Sequence, residues 1–322
     1  MNTPRVSVIM PVYNAAPFVE EAVRSVLDQS IGDVEVVVVD DGSTDRSAQV
    51  VASINDARIK LIRQENRGVA HALNAALAKA SAPYIARLDA DDASLPDRLK
   101  HQLERFEQEP SLSILGGWSL ITDAEGKPLR EQHQPLTDAA IRFALLFDTP
   151  FVSSSVMFTR TAAEKAGGFD PGPDVHDDWD MWSRLCRQGC AANLPEVLVR
   201  YRVLPTGLTR TMPRFQERSL RQRRENIRWA LPGLPGELAA LLEHLGIDYP
   251  MTTPAGLRAL HGALRKFIQD LTSDKDQRAV LEQDLRAKLM SARLVAHHSP
   301  FHRVLDHLRK RSVLRSLRYG EK

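Results

Sequence analysis

Val34-Glu35-Val36-Val37-Val38-Val39 runs straight into Asp40-Asp41-Gly42-Ser43. Five β-branched residues in six make a strand, and the lack of polar alternation is that of a strand covered on both faces in a parallel sheet. It ends on two carboxylates and a glycine, where open α/β sheets present their ligands. Outward from this stretch the same unit repeats. Val6-Ser7-Val8-Ile9-Met10 precedes a helical stripe of Phe18, Val19, Ala22, Val23, Val26 and Leu27. Ile59-Lys60-Leu61-Ile62 precedes Val69, Ala72, Leu73, Ala76 and Leu77 at helical spacing. Tyr84-Ile85-Ala86-Arg87-Leu88 delivers the chain to Asp89-Ala90-Asp91-Asp92. Pro96 then suits the first turn of a helix carrying Leu99, Leu103 and Phe106, which must stop before Pro110. Ser43 or Thr44 is expected to cap the helix after the second strand. Four such repeats with right-handed crossovers imply an α/β fold with an open, mostly parallel sheet.

From about Ser113 the pattern loosens into short strands, Ile114-Leu115-Gly116, Ser155-Val156-Met157-Phe158 and Val197-Leu198-Val199-Arg200-Tyr201-Arg202. A helix from Asp178 to Gln188 stops at Gly189. After Pro213 nearly everything reads as helix. The 322 residues therefore divide into an expected catalytic domain, 1–212, and a helical, basic C-terminal extension, 213–322. No segment approaches the roughly 20 apolar residues of a membrane-spanning helix. The first residues lack the features of a secretory leader, so a cytoplasmic location is expected. Cys186 and Cys190 are too few for a disulfide framework or a zinc site, and read as reduced, buried thiols in a helical segment.

The net charge of +2 hides an asymmetry, since residues 293–322 hold eight Lys and Arg against Asp306 and Glu321. There Phe301, Val304, Leu305 and Leu308 form an apolar stripe flanked by Arg303, Arg309, Lys310 and Arg311. A basic amphipathic helix of this kind fits peripheral contact with an anionic membrane on its inner face. It equally fits packing on the catalytic domain with solvated charges, an ambiguity that the run at Arg221, Arg223 and Arg224 shares. No aromatic-interleaved basic motif points to nucleic acid.

Three acidic groups could carry chemistry. Asp89, Asp91 and Asp92 follow a strand directly, and carboxylates this close repel unless a cation lies among them. Hard oxygen ligands suit Mg²⁺ or Mn²⁺, which take one or two carboxylates and complete their shell with substrate phosphate and water. Taken alone, Asp-x-Asp reads more simply as a turn capping the next helix. His176-Asp177-Asp178-Trp179-Asp180-Met181-Trp182 leads two acids into a helix. Asp178 there is a candidate general base, or the pair is an N-cap with tryptophans as core. Asp40 and Asp41 could accept a hydrogen bond from a nucleobase, or only start a helix.

Five segments together resemble the family 2 glycosyltransferases, the inverting group with the GT-A fold. They are Val8-Ile9-Met10-Pro11-Val12-Tyr13-Asn14, Val39-Asp40-Asp41-Gly42-Ser43-Thr44-Asp45, Asn66-Arg67-Gly68-Val69-Ala70, Leu88-Asp89-Ala90-Asp91-Asp92 and Asp177-Asp178-Trp179-Asp180-Met181-Trp182. Weak motifs in the right order are far more specific than any one of them. The resemblance covers roughly residues 4–205. It implies a donor site at Pro11, Val12, Tyr13, Asn14, Asp41, Asn66, Gly68, Arg87, Asp89, Asp91, Tyr201 and Arg202, with Asp41 reading the base. It implies a divalent cation, Mn²⁺ or Mg²⁺, at Asp91 and Asp92, and a catalytic base at Asp178 supported by Asp177. Gly167 and Gly168 before Phe169-Asp170 fit the family's loop ahead of that pair. Tyr201-Arg202 matches the segment that closes over the phosphates, while the histidine often found two residues later is here Leu204.

The implied reaction is a single in-line displacement, in which Asp178 takes the proton of an acceptor hydroxyl that attacks and inverts the anomeric carbon. The Gln-x-x-Arg-Trp motif of processive synthases is absent, so addition of one sugar is expected. The donor is a nucleotide-sugar, UDP-linked by default. The acceptor is a saccharide, free or lipid-linked, in bacterial cell-surface polysaccharide or glycan assembly. A nucleotidyltransferase is the first competitor, but Pro11-Val12-Tyr13-Asn14-Ala15-Ala16 has no glycine-rich, Lys/Arg-bearing loop. A non-catalytic nucleotide-sugar-binding protein is the second, and would tolerate Asp178→Asn.

Overall fold

The computed structural model describes residues 3–172, 177–205, 215–245 and 254–296. The expected basic helix around Phe301 to Leu308 lies outside them. The chain forms two compact units, one of residues 1–136 with 149–215 and one of residues 137–148 with 216–322.

The first unit is built on a nine-stranded sheet, ordered β3-β2-β1-β4-β8-β6-β9-β5 with β7 paired on β6. Its parallel half is the repeat read from the sequence: β1 (Val6–Val12), β2 (Val34–Asp41), β3 (Ile59–Gln64) and β4 (Tyr84–Arg87). Beyond β4 come β8 (Met157–Thr159), antiparallel to it, then β6 (Leu112–Thr122) and β9 (Cys190–Arg202), which run with β4. β5 (Ala93–Ser94) and β7 (Pro128–Gln132) pair antiparallel with β9 and β6. Six of the nine strands thus share one direction. Every residue of β2 is buried, as its unbroken valine run requires.

Alternation along the strands divides the core. Val6, Val8, Met10, Val34, Val36 and Val38 pack with Val19, Val23 and Val26 of α1 (Val19–Leu27) and Leu99, Leu103 and Phe106 of α4 (Arg98–Gln108). The other face receives α3 (Val69–Lys79), which lies on β1 and β2 through the wholly buried Ala72, Leu73 and Ala76. Pro11 has no N–H to give, and comes after the last β1–β4 pair, Ile9↔Arg87. Two sequence expectations shift. α2 (Ser47–Ser53) begins three residues beyond Thr44 and has no side-chain cap. Cys190 opens β9 and is half-buried, so only Cys186, in α7 (Asp177–Cys186), is a buried helical thiol.

The second unit gathers α8 (Phe215–Ala230), α9 (Gly236–His244), α10 (Pro254–Leu271) and α11 (Lys275–Ala296) with α5 (Asp138–Ala144) from mid-chain. Phe143, Leu146, Ile227, Leu242, Leu260, Leu264, Ile268 and Leu285 form its core. A linear division after residue 212 does not foresee this use of 137–148. Its physical basis is partly polar. The buried Arg223 donates to the carbonyls of Glu243 (3.1 Å), Leu245 (2.9 Å) and Phe147, and Asn226 to that of Leu145 (2.9 Å). These satisfy carbonyls left over at the ends of α9 and α5. No helix among the described residues is long and apolar enough to cross a membrane.

At the opposite end of the strands from the acidic turns, Glu35 is buried on β2 and receives Ser7 Oγ (2.5 Å), Ser81 N (2.6 Å), Ser81 Oγ (2.8 Å) and Lys60 Nζ (2.5 Å). Burial works to raise its pKa, but the Lys60 ammonium and the Ser7 and Ser81 donors outweigh it and bring it to about 2. A lowered carboxyl pKa stabilises the fold above the ordinary value near 4.5, and that contribution fades as the pH falls from there through 2. Glu35→Gln is expected to lose on the order of 2–3 kcal/mol in urea unfolding at pH 7. The gap from wild type should close as unfolding is repeated toward pH 2, and a pH-independent gap would contradict this account.

Candidate active site

The loops after β1 and β2 are laced together. Asn14 sits in the left-handed region, φ 50°, which asparagine tolerates better than most residues. From there its Oδ1 accepts Thr44 N (2.9 Å), Thr44 Oγ1 (3.2 Å) and Asp45 N (3.3 Å). In return Asn14 N donates to Ser43 Oγ (3.0 Å), Ala15 N to Ser47 Oγ (2.9 Å) and Ala16 N to Asp45 Oδ2 (3.0 Å). Ser43 and Thr44, expected as helix caps, are instead half of this brace. It leaves Tyr13 projecting at the end of β1, 53% exposed, a flat aromatic face at the rim of the sheet.

Asp41 ties in the third loop. Its buried carboxylate accepts Gln64 Nε2 (2.7 Å) and Arg67 N (3.0 Å) on Oδ1, and Gly68 N (2.8 Å) on Oδ2. Gly68 takes φ 93°, and Gly42, at φ 74°, lies so close to Asn66 that an added Cβ would stand 2.6 Å from its nitrogen. A carboxylate has about four acceptor positions. Asp41 therefore shapes the Asn66–Gly68 loop and keeps one position, on Oδ2.

β4 ends on the acidic turn, where Asp92 N donates to Asp89 O (3.1 Å). Its three carboxylates are treated differently. Asp89 is partly exposed and salt-bridged to Arg87, Nη2 to Oδ1 3.0 Å. Asp91 is half-buried, and burial followed by the Asp89 charge pushes its carboxyl up to about 6, against Arg202 and Arg87. Asp92, expected beside Asp91 as a cation ligand, is turned inward and 2% exposed. Its Oδ1 accepts Arg202 N (2.8 Å) and its Oδ2 the Ser154 hydroxyl. Burial, then Asp91 and Asp89, hold its carboxyl well above the usual range.

Arg202 also serves the turn. Its guanidinium donates to Asp91 O (3.0 Å), Ala124 O (2.9 Å) and Glu21 Oε2 (2.7 Å), and lies over the Phe18 ring. It braces the acidic loop from β9, whereas Tyr201 beside it packs on the core. Among the described residues no three His, Cys, Asp or Glu side chains form a ready cage for a metal. Asp89 and Asp91 still fit Mg²⁺ or Mn²⁺, because these ions need only one or two carboxylates beside substrate phosphates, and the mutual repulsion of this pair is what a cation relieves.

Asp178 reaches the same region through residues that no motif marks. A single 3₁₀ turn, Ser153–Ser155, precedes β8. Ser154 Oγ receives Asp89 N (3.1 Å) and donates to Asp92, while Ser153 Oγ donates to Asp178 Oδ2 (2.7 Å). Consecutive hydroxyls thus join the acidic turn to the candidate base. Asp177 opens α7, but its side chain and residues 173–176 are outside the described set. Asn74 of α3 brackets the backbone of Phe169, Nδ2 to O 2.7 Å and N to Oδ1 2.9 Å, and so holds the loop ahead of that helix. Under the whole assembly Arg98 is 1% exposed. It donates to Ser94 Oγ (2.9 Å), Gln102 Oε1 (3.1 Å), Arg87 O (2.8 Å) and Val156 O (3.2 Å). Burial brings its pKa down to about 9, against Asp92 and Asp89, so it remains charged at neutral pH.

A sheet of this order, ending on an acidic turn beneath a braced loop rim, has the GT-A fold. The fold is similar to that of S. aureus TarS 1-349 in complex with UDP-GlcNAc, at 19% identity over 91% of this chain and 90% of that one, TM-score 0.58. It is also similar to the mannosyltransferase PcManGT from Pyrobaculum calidifontis in complex with GDP-Man and Mn²⁺, at 24% identity over 92% and 88%, TM-score 0.55. In sequence the chain is 34% identical, over 64% of its length, to 82% of a Bacillus subtilis glycosyltransferase named for teichuronic acid biosynthesis. The family model for glycosyl transferase family 2 matches residues 7–167, and the chain belongs to that family.

The buried guanidinium makes the site testable as architecture. Arg98→Met removes the donor from two backbone carbonyls and two side chains, together with the buried positive charge that interacts with Asp92 and Asp89. It is expected to cost about 3–5 kcal/mol in denaturant unfolding. A variant as stable as wild type would show that the acidic turn does not depend on Arg98.

Proposed function

We propose that this glycosyltransferase moves one sugar from a nucleoside-diphosphate sugar, UDP-linked first among them, to a saccharide hydroxyl with inversion at the anomeric carbon. The observation that carries the reading is the serine bracket, which sets Asp178 one residue's reach from the acidic turn. Donor phosphates and acceptor hydroxyl then meet across Ser153 and Ser154.

The loop rim receives the nucleoside, with Pro11 and Val12 lining it, the Tyr13 ring against the base and the remaining acceptor position of Asp41 for a base N–H. Asn14, Asn66 and Gly68 keep the rim in shape. Asp89 and Asp91, rather than Asp92, face the diphosphate, and Arg87 holds Asp89 in place. A divalent cation bound by those two carboxylates would supply positive charge to the departing diphosphate. Asp178, with Asp177 as its neighbour and support, accepts the proton of the acceptor hydroxyl. That oxygen bonds to the anomeric carbon, the bond from this carbon to the phosphate oxygen breaks, and its electron pair leaves with the nucleoside diphosphate. The similarity to a protein named for teichuronic acid biosynthesis supports a bacterial surface polysaccharide or glycan as the acceptor class.

A thermal-shift panel of UDP-glucose, UDP-N-acetylglucosamine, GDP-mannose, dTDP-glucose and CMP-sialic acid, with and without Mn²⁺, tests the donor half. At least one diphosphate donor should raise the melting temperature in a cation-dependent way, worth about 2.7 kcal/mol at a hundredfold excess over Kd. Asp178→Asn should keep that shift and lose turnover by about 10²–10⁴-fold. No cation-dependent stabilisation by any diphosphate donor would sink this reading.

A further inference from the structure

The base candidate is oriented from outside its own helix. Asp178 Oδ1 is held locally, by Trp179 N at 2.6 Å. Oδ2 is the oxygen that meets Ser153 Oγ, 25 positions away in the chain, at 2.7 Å. Ser153 is itself held from both sides. Val152 O accepts Ser155 N (2.8 Å), and the one proton of the Ser155 hydroxyl is shared between Val152 O (2.8 Å) and Gly117 O (3.1 Å) while its oxygen receives Gly117 N (3.3 Å) on β6. Ser154 is bonded to the turn that carries Asp89 and Asp92. The hydroxyl that touches the base is therefore referenced to the sheet and to the acidic turn.

We propose that Ser153 is a positioning residue for transfer: its hydroxyl fixes the rotamer of Asp178 so that the carboxylate lies within reach of the acceptor oxygen. This rests on the functional reading above, in which Asp178 is the proton acceptor. A hydroxyl donated to a carboxylate is a charge-assisted bond, stronger and more directional than a neutral one. It fixes the second oxygen of a side chain whose orientation is set by χ1 and χ2. The proton moves only if the carboxylate lies within hydrogen-bond reach of the attacking oxygen. Loss of the bond therefore slows the chemical step and leaves the nucleoside rim and the diphosphate-facing carboxylates untouched.

The test compares Ser153→Ala and Ser153→Thr with wild type. The readouts are UDP release from UDP-N-acetylglucosamine in the presence of Mn²⁺ and calorimetric binding of UDP with Mn²⁺. Ser153 is half-buried, so removal of one hydroxyl should leave the melting temperature within a few degrees. Ser153→Ala is expected to lower kcat about tenfold or more, with donor KM and UDP affinity within about twofold of wild type. Ser153→Thr, which keeps the hydroxyl, should recover most of the rate. An unchanged kcat in Ser153→Ala, a parallel loss of kcat and UDP affinity, or Ser153→Thr as slow as Ser153→Ala would each overturn the positioning role. If the wild type neither binds UDP nor turns over this or any other donor of the panel, the transferase reading fails and the proposal goes with it. An active wild type beside an indifferent Ser153→Ala removes the proposal alone.

Discussion

The buried carboxylate of Asp92 is the constraint on which the site depends. Taking a charge out of water is expensive, and it persists in a protein interior only when paired and hydrogen-bonded. Here the Asp92 carboxyl accepts the backbone N–H of Arg202 and the Ser154 hydroxyl, and the buried Arg98 guanidinium interacts with it through space. Burial and the Asp91 and Asp89 charges hold the Asp92 pKa well above the usual range. The three partners of Asp92 come from different parts of the chain: β9, the serine turn before β8, and the start of α4. One carboxyl group thus ties three separate segments to the end of β4.

The rim is organised by the same economy. Asp41 closes the loop after β3, Asn14 closes the loop after β2, and Asp45 and Ser47 answer back to the loop after β1. Each is a side chain satisfying backbone N–H groups where strands run out and the ladder can no longer do so. Loop shape at the carboxyl ends of β1, β2 and β3 is therefore set by side-chain chemistry rather than by packing. That lets an exposed ring such as Tyr13 stand at the rim without a core behind it.

What could be read from the amino-acid sequence follows from the range of the interactions involved. Strands β1 to β4 and helices α1, α3 and α4 announce themselves by period, because each repeat buries its own apolar face against its neighbour. The acidic residues were legible as candidates because they follow strands directly. Ser153 and Ser154 were not, since a run of serines carries no signature and their partners lie 25 and 62 positions away. No motif marks Arg98; only the tertiary structure brings it under the acidic turn. Asp92 was grouped with Asp91 because adjacency in sequence says nothing about which carboxylate points inward. α5 escaped because seven residues are too few to establish a period, and what recruits them is Arg223 and Asn226, more than 70 residues further on.

The division of labour among the three aspartates bears on how a donor must arrive. Asp92 is turned inward, where its carboxyl accepts Arg202 N and the Ser154 hydroxyl, and Asp89 is salt-bridged to Arg87. Burial, and then the Asp89 charge, raise the Asp91 carboxyl to about 6, against Arg202 and Arg87. The arginine nearest to it, Arg202, is already engaged with Glu21 and two backbone carbonyls. A diphosphate approaching this turn alone brings further negative charge to a place already short of positive charge. At an effective dielectric near 20, two unit charges about 4 Å apart repel by about 4 kcal/mol, enough to weaken binding by roughly a thousandfold. A divalent cation held by Asp89 and Asp91 would offset that repulsion. On the proposed reading, the electrostatics of this turn favour a cation-bound diphosphate over a bare one.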